Sequence, residues 1–348
     1  MNTRDEAYLH ARVSVMMGRL LTGTQIADML DRPVTEQDDL NASSSVHELL
    51  TPWSASPPYV LEQRIVSSVL DDCQILARPL TGTERDFLIH WVLRLELSNL
   101  KAILRGKLAG RPINDIRADL LNAGSFTTLP LEQLLRTEDF SELLRQLDAT
   151  PYADIARQAR AAFESEHDLF AVDATVDRRY FNGLLSRAMN IGHVQGKLFN
   201  ELVASIIDRV NLVWLLRYRF VYQLPPAQAF YLLVPSHSLL NTERLSALVK
   251  LESFEEVLAA LPLPLRAQLA GLPDIFSVTQ RLERRTYEAA HRVLRHAPHA
   301  LSRAFAYLVM REFDLRKVRI IAKSRQLKLD PEVVRYTLGI ALIPGFAH

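Results

Sequence analysis

Apolar residues return along most of the chain at the spacing of a helix that buries one face. In residues 194–216, pairs of apolar side chains recur every four positions, and residues 83–108 and 300–327 follow the same rule. No segment shows a convincing strict alternation of apolar and polar residues, which is the pattern of a strand with one buried face. The pattern predicts an all-α fold that contains three long amphipathic helices.

The three long helices share a set of polar positions. Each has an acid, an amide or amine three residues later and a base six residues further on, and each is followed by a proline. The interval from Asn99 to Asn211 separates the first two copies, and the slightly shorter interval from Asn211 to Lys317 separates the last two. The set is Glu96, Asn99 and Arg105 in the first copy, Asp208, Asn211 and Arg217 in the second, and Asp314, Lys317 and Lys323 in the third.

A second pattern links the two ends of the chain. A set of apolar positions around Leu20 recurs around Leu134 and again, at an equal interval, around Leu248. The chain therefore begins inside one copy of a repeated unit and ends inside another. An internal repeat of this length indicates architecture more strongly than any local pattern does. We expect a closed ring of three units around a central cavity, locked by pairing the two termini.

The boundaries of this organisation fall near residues 59, 166 and 273. Residues 1–58 are expected to be an N-terminal half-unit and linker that pack with the C-terminal unit. Residues 59–165 are helical unit 1, residues 166–272 are unit 2, and residues 273–348 are unit 3, which the N-terminal segment completes.

Composition sets further limits. The 348 residues are 48% hydrophobic, so the chain can bury a large core. The net charge of +1 provides no overall signature of polyanion binding. The single cysteine, Cys73, cannot form an internal disulfide, and we expect a small buried residue in a reducing, cytoplasmic setting. Apolar runs are far shorter than the roughly 20 residues of a membrane span, and the charged N-terminus is unlike a signal peptide.

Motifs that could indicate chemistry lack the spacing that the chemistry needs. Residues 192–197 resemble a phosphate-binding loop, but three residues instead of four separate the glycines. A helix–helix turn explains these glycines better. Ser98 and Lys101 have the spacing of some acyl-transfer enzymes, but the partner motifs of those enzymes are missing. The histidines of 291–299 do not share one helical face, as a metal site on a helix would need. Asp71 and Asp72 fit a polar helix face. We predict no catalytic residue, metal or cofactor.

Bases cluster in the C-terminal third of the chain. Seven bases and two acids lie between Arg311 and Lys328. A solvated face, with arginine stems that cover apolar surface, explains part of this excess. The functional alternative is a positive surface that faces an acidic partner or anionic lipid headgroups. Nucleic acid is disfavoured because no aromatic residues are interleaved and no binding module is recognised.

The repeated polar residues allow two interpretations. An acid and an amide three positions apart share one face of a helix. In a ring of three units this face would recur three times around the axis. It would either line the cavity for an inserted partner or lie at the seams between units, and the sequence supports both interpretations.

Several segments, taken in order, have the spacing of a known family. They are residues 8–13, 20–22, 177–181, 208–212, 216–219, 314–323 and 331–340. Together they resemble the C subunit of archaeal and vacuolar-type rotary ATPases, known as the d subunit in eukaryotic vacuolar enzymes, from about residue 5 to residue 340. The chain departs from the family in having Lys317 where an asparagine is usual, and residues 41–58 and 341–348 match nothing in it.

The resemblance implies a non-enzymatic funnel of three similar helical domains, with a wide mouth that receives the central stalk of a rotary motor. The funnel would sit on the membrane proteolipid ring and transmit the torque that couples ATP hydrolysis or synthesis to ion transport. We expect a monomer within a hetero-oligomeric complex, peripheral at the cytoplasmic face of a membrane, without nucleic-acid or small-molecule partners. The partner-binding candidates are Asn99, Arg105, Asn211, Arg217, Arg219, Lys317 and Lys323.

Two other functions fit the same residues. A helical scaffold could bind partner helices outside any rotary ATPase, and an all-helical enzyme could hold a site in the central cavity. A polar cavity of helix-hairpin width would favour either binding function. A deep apolar pocket with converging carboxylates or a metal would favour the enzyme.

Overall fold

The computed structural model describes residues 2–31, 58–166 and 169–339. All regular elements within these ranges are helical, which confirms the all-α prediction. The α-helices are α1 (Thr3–Met16), α2 (Gly23–Asp31), α3 (Pro58–Ala77), α4 (Gly82–Leu108), α5 (Ile113–Ala118), α6 (Leu131–Arg136), α7 (Phe140–Arg145), α8 (Ala153–Glu166), α9 (Leu169–Phe220), α10 (Pro226–Tyr231), α11 (Thr242–Leu248), α12 (Phe254–Ala260), α13 (Leu263–Leu269), α14 (Ile275–His296), α15 (Ala300–Gln326) and α16 (Pro331–Thr337).

Three helical hairpins form the framework of the fold. Two of them are α3 with α4 and α14 with α15, and the third is α9 itself, which bends at Gly196. Gly196 has a φ of 83°, a backbone conformation that glycine adopts without the strain a side chain would cause. The glycines of 192–197 therefore belong to a helix–helix turn, as predicted. We call α3, the N-terminal arm of α9 and α14 the leading helices, and α4, the C-terminal arm of α9 and α15 the central helices.

Short helices begin where the sequence places prolines. Pro112 is the N-cap residue of α5, whereas Pro226 and Pro331 occupy the first turns of α10 and α16. A proline fits a first turn because its missing N–H has no partner there in any helix. Asp330 caps α16, as predicted, because its carboxylate accepts a hydrogen bond of 2.8 Å from the backbone N–H of Glu332.

The three central helices meet at three phenylalanines. Phe87, Phe199 and Phe305 are 0% exposed, and their ring centroids lie 5.2, 4.8 and 5.9 Å apart. They are separated along the chain by the same two intervals as the members of the repeated polar set. The space between the central helices is filled at this level, so the expected cavity does not extend through it. The funnel shape itself stays a prediction.

Contacts between hairpins close a cycle. Each central helix packs against the leading helix of the next hairpin, and α15 packs against α3. Polar pairs mark each of these three seams. They are Lys101 with Asp177 at 2.6 Å, Ser205 with Thr286 at 3.0 Å, and Arg319 with Glu62 at 2.6 Å.

The apolar core has one shared part and three separate parts. The shared cluster joins α1 to all three hairpins around the phenylalanines. The second halves of α4 and of α9 each pack with their own short helices in a separate cluster. A smaller cluster joins Leu21 and Ile26 to Val318, Ile321 and Val334. This cluster packs α2 and the nearby Leu21 against α15 and α16, while the domain organisation stays a prediction. Residues 41–57 and 341–348 lie outside the described residues.

Candidate functional site

The repeated acids make the same backbone contact in each copy. Each carboxylate is at most 2% exposed and accepts a hydrogen bond from the N–H of a leucine that ends a loop. In the third copy the leucine comes from the N-terminal segment. The pairs are Leu129 to Glu96 at 2.8 Å, Leu240 to Asp208 at 3.0 Å, and Leu21 to Asp314 at 2.9 Å.

These hydrogen bonds correct the register that we expected between the N-terminal segment and the first unit. Leu21 takes the place of Leu129, whereas the apolar pattern aligns it with Leu135. The apolar pattern is ambiguous because successive short helices each present a pair of buried aliphatic residues. The backbone contact is specific to one residue and therefore decides the alignment.

The repeated asparagines clamp their own loops. Asn99 donates from Nδ2 to the carbonyl of Leu121 and accepts from its N–H, both at 2.7 Å. Asn211 does the same with Val234, at 2.9 and 2.8 Å. Both side chains are buried. In the third copy Lys317 replaces the asparagine, and its Nζ lies 3.3 Å from Asp314 Oδ1.

The acids and the asparagines therefore bond loops instead of lining a cavity or a seam. This differs from both interpretations drawn from the sequence, which placed them either along a cavity or at a seam between units. A buried carboxylate needs hydrogen-bond donors, and loop N–H groups near helix starts supply them. Burial raises the pKa of Asp208 and of Asp314 above its usual range, while the hydrogen bonds that they accept oppose this shift. The partner-binding role of Asn99, Asn211 and Lys317 stays a prediction.

The repeated bases are exposed at the far ends of the central helices. Arg105, Arg217 and Lys323 each follow the phenylalanine of their own helix at the same interval. This interval makes five turns of α-helix and about 27 Å of length, so each base shares the face of its phenylalanine. Arg105 also donates to Asp173 of α9 at 2.7 Å. The spacing thus places each base at the opposite end of its central helix from the phenylalanine.

Exposed apolar side chains follow these bases along the sequence. They lie where the central helices end and are 43–59% exposed; they are Leu108, Val221, Tyr222, Leu327 and Leu329. Arg219, a further candidate, is partly buried and donates to the carbonyl of Leu224 at 2.7 Å. We call the three bases and these five apolar residues the open end of the molecule, and the end that carries the helix–helix turns the closed end.

The basic cluster of the C-terminal third mostly pairs inside the molecule. Arg316 bonds Glu283, Arg319 bonds Glu62, and Arg325 donates to the carbonyl of Met29. These bases hold α15 to α14, α3 and α2. A continuous positive surface for an acidic partner is therefore not formed by them.

Arg311 and Asp72 form a buried network that the sequence does not predict. Both side chains are 1% exposed, with 3.5 Å between Arg311 Nε and Asp72 Oδ2. The Tyr307 hydroxyl donates to Asp72 at 2.7 Å, and Arg311 donates to the carbonyl of Arg19 at 3.0 Å and to Ser68 at 3.1 Å. The polar helix face expected at Asp72 is wrong: this carboxylate is internal and joins α15, α3 and the N-terminal segment.

The residues that the structure describes show few features of a catalytic or metal-binding site. No group of three His, Cys, Asp or Glu side chains within 2–31, 58–166 and 169–339 could hold a metal ion. Cys73 is fully buried, as predicted, and burial raises the pKa of its thiol to about 12. Over the same ranges, no helix is long and apolar enough to cross a bilayer.

The comparisons with known proteins agree with the resemblance drawn from the sequence. Residues 9–336 match the family model described as ATP synthase (C/AC39) subunit. The chain belongs to this family. Membership of the C/AC39 family supports a place among the subunits of a rotary ATPase and agrees with the predicted absence of enzymatic activity.

Curated relatives extend over nearly the whole C/AC39 chain. The C subunit of the A-type ATP synthase of Methanosarcina mazei is 23% identical over 341 residues, which are 96% of this chain and 92% of the relative. The protein of the same description from Methanocaldococcus jannaschii is 19% identical, over 95% of this chain and 86% of its own length. That from Thermococcus kodakarensis is 22% identical, over 96% and 90% respectively.

Proposed function

We propose that this chain couples the central stalk of a rotary ATPase to the membrane ring of proteolipid subunits and transmits torque between them. Membership of the C/AC39 family supports a place in such a complex. The structural observation that carries the proposal is the arrangement of the central helices. They meet at three buried phenylalanines at the closed end and present three bases among exposed apolar residues at the open end.

The open end is the surface that suits the end of a stalk. Exposed apolar residues grouped with charges are typical of a protein interface. The three cations of the open end favour a partner with acidic side chains opposite them, and their charge steers such a partner during association. In this proposal the closed end faces the proteolipid ring, and the chain lies at the cytoplasmic face of the membrane.

The seams are suited to carrying torque. Each central helix is bonded to the leading helix of the next hairpin, so a force on one hairpin passes to the other two. At the seam between α15 and α3, the buried contact of Arg311 with Asp72 adds resistance to shear.

A charge-reversal pull-down tests the proposal. Arg217→Glu with Lys323→Glu places two acids at the open end, and we expect at least a tenfold loss of stalk subunits recovered from membranes, or about 1.4 kcal/mol. Recovery of the proteolipid subunits should not change. The control pair, Arg284→Glu with Arg292→Glu, makes the same change in charge on exposed positions of α14.

Circular dichroism and thermal melting show whether both double variants fold. Undiminished recovery of the stalk subunits, or an equal loss with the α14 control, contradicts the assignment of the open end. An unfolded open-end variant contradicts it too, because Arg217 and Lys323 would then hold units together.

A further inference from the structure

The three acid–leucine contacts, which we call joints 1, 2 and 3, differ in the kind of donors that support them. In joint 1, Glu96 accepts from the N–H groups of Thr128 and Leu129, from the Thr128 hydroxyl and from Tyr152. In joint 2, Asp208 accepts from Leu240 and the hydroxyl of Ser238. In joint 3, the structure gives Asp314 one backbone donor, Leu21, and the ammonium of Lys317.

The chain connects the partners of joint 3 differently from those of joints 1 and 2. Joints 1 and 2 join residues that are 33 and 32 positions apart, whereas joint 3 joins residues that are 293 positions apart. A loop that leaves joint 1 or 2 stays tethered beside its acid. The partners of joint 3 lie far apart in the sequence, and non-covalent contacts such as the packing of α1 on α15 keep Leu21 near Asp314.

The third copy also lacks the asparagine clamp. Asn99 and Asn211 each add two hydrogen bonds that hold the loop preceding their joint. Lys317 cannot reproduce these bonds because an ammonium donates but does not accept. It supplies charge instead, since its Nζ lies 3.3 Å from the fully buried Asp314 and 5.0 Å from the ring centroid of Tyr287.

We propose that joint 3 opens more readily than joints 1 and 2, and that the charge of Lys317 holds this joint closed. We expect α1 to stay packed when this joint opens, because its Leu9, Val13 and Met16 are buried in the shared core. Opening separates Leu21 from Asp314, while the direct contacts between α15 and α3 remain. The fold thereby contains a latch at its one interrupted unit.

Hydrogen exchange in the full-length chain tests this inference. The amide of Leu21 should exchange at least tenfold faster than those of Leu129 and Leu240, because it is released by the local opening of joint 3. Lys317→Met removes the charge and should speed exchange at Leu21 by at least a further tenfold, with less than a twofold change at the other two amides. Lys317→Arg keeps the charge, and exchange at Leu21 should stay within threefold of the wild type.

Asn211→Ala is the matched control. It should speed exchange at Val234 and Leu240 and leave Leu21 unchanged, since the damage is confined to joint 2. Equal protection of the three leucines in the wild type overturns the proposal and needs no variant. So does a Lys317→Met chain in which Leu21 is unaffected, or in which all three amides accelerate together as they would in global unfolding.

Discussion

Truncation of the phenylalanines at the axis measures how strongly the three hairpins depend on their common centre. Phe305 is 0% exposed and touches three aromatic rings, those of Phe87 and Phe199 and that of Trp91 at 5.1 Å. Removing a fully buried phenylalanine leaves a cavity and costs roughly 3–5 kcal/mol in comparable cores, so we expect Phe305→Ala to lower the free energy of unfolding by about 4 kcal/mol.

The contact between two of these rings has its own measurable energy. The centroids of Phe87 and Phe305 are 4.8 Å apart at an interplanar angle of 69°, an edge-to-face geometry. Such pairs contribute roughly 0.5–1.5 kcal/mol beyond burial. The double variant Phe87→Ala with Phe305→Ala should therefore lose about 1 kcal/mol less than the sum of the two single losses, since the shared contact is removed only once.

Urea unfolding followed by circular dichroism gives the four free energies of this cycle. Phe276→Ala is the control, because this side chain is 40% exposed and its loss should cost only about 1 kcal/mol. A Phe305→Ala chain as stable as the control, or strict additivity in the cycle, would refute the claim that the hairpins pack on one aromatic centre.

Three further predictions concern the seams between hairpins. Arg311→Met should cost about 3 kcal/mol in urea unfolding, because it removes the buried one of the two arginines that pair with Asp72 and leaves the more exposed Arg19; adding Asp72→Asn should restore part of this loss, and a cost below about 1 kcal/mol contradicts the buried network. Burial lowers the pKa of His90 from 6.5 to about 4, so the folded state binds its proton less tightly than the unfolded chain. The stability present above pH 6.5 should fall by about 3 kcal/mol as the pH drops to 4, and His90→Gln, compared over the same pH series, should remove this part of the dependence. Gly183→Ala should cost about 1–3 kcal/mol in thermal melting, because the new Cβ would lie 2.8 Å from His90 Cε1; His90→Ala in the same chain should reduce that cost, and an undiminished cost places the strain elsewhere.

The sequence by itself determined the class of fold, its repetition and its family. Helical periodicity is local, so it can be recognised without knowing what a helix packs against. The two intervals of the repeat hold for the buried phenylalanines as well as for the polar set, because equivalent helices need equivalent contacts.

Only the tertiary structure decided what the repeated acids face. A long helix in this fold is buried on more than one side, and periodicity cannot tell which side meets a loop with free N–H groups. The contact of Leu21 with Asp314 joins residues 293 positions apart, and no local pattern contains that pairing. The same holds for Arg311 and Asp72, whose burial depends on three segments arriving together. Buried polar groups are specified by their partners, and those partners come from distant parts of the chain.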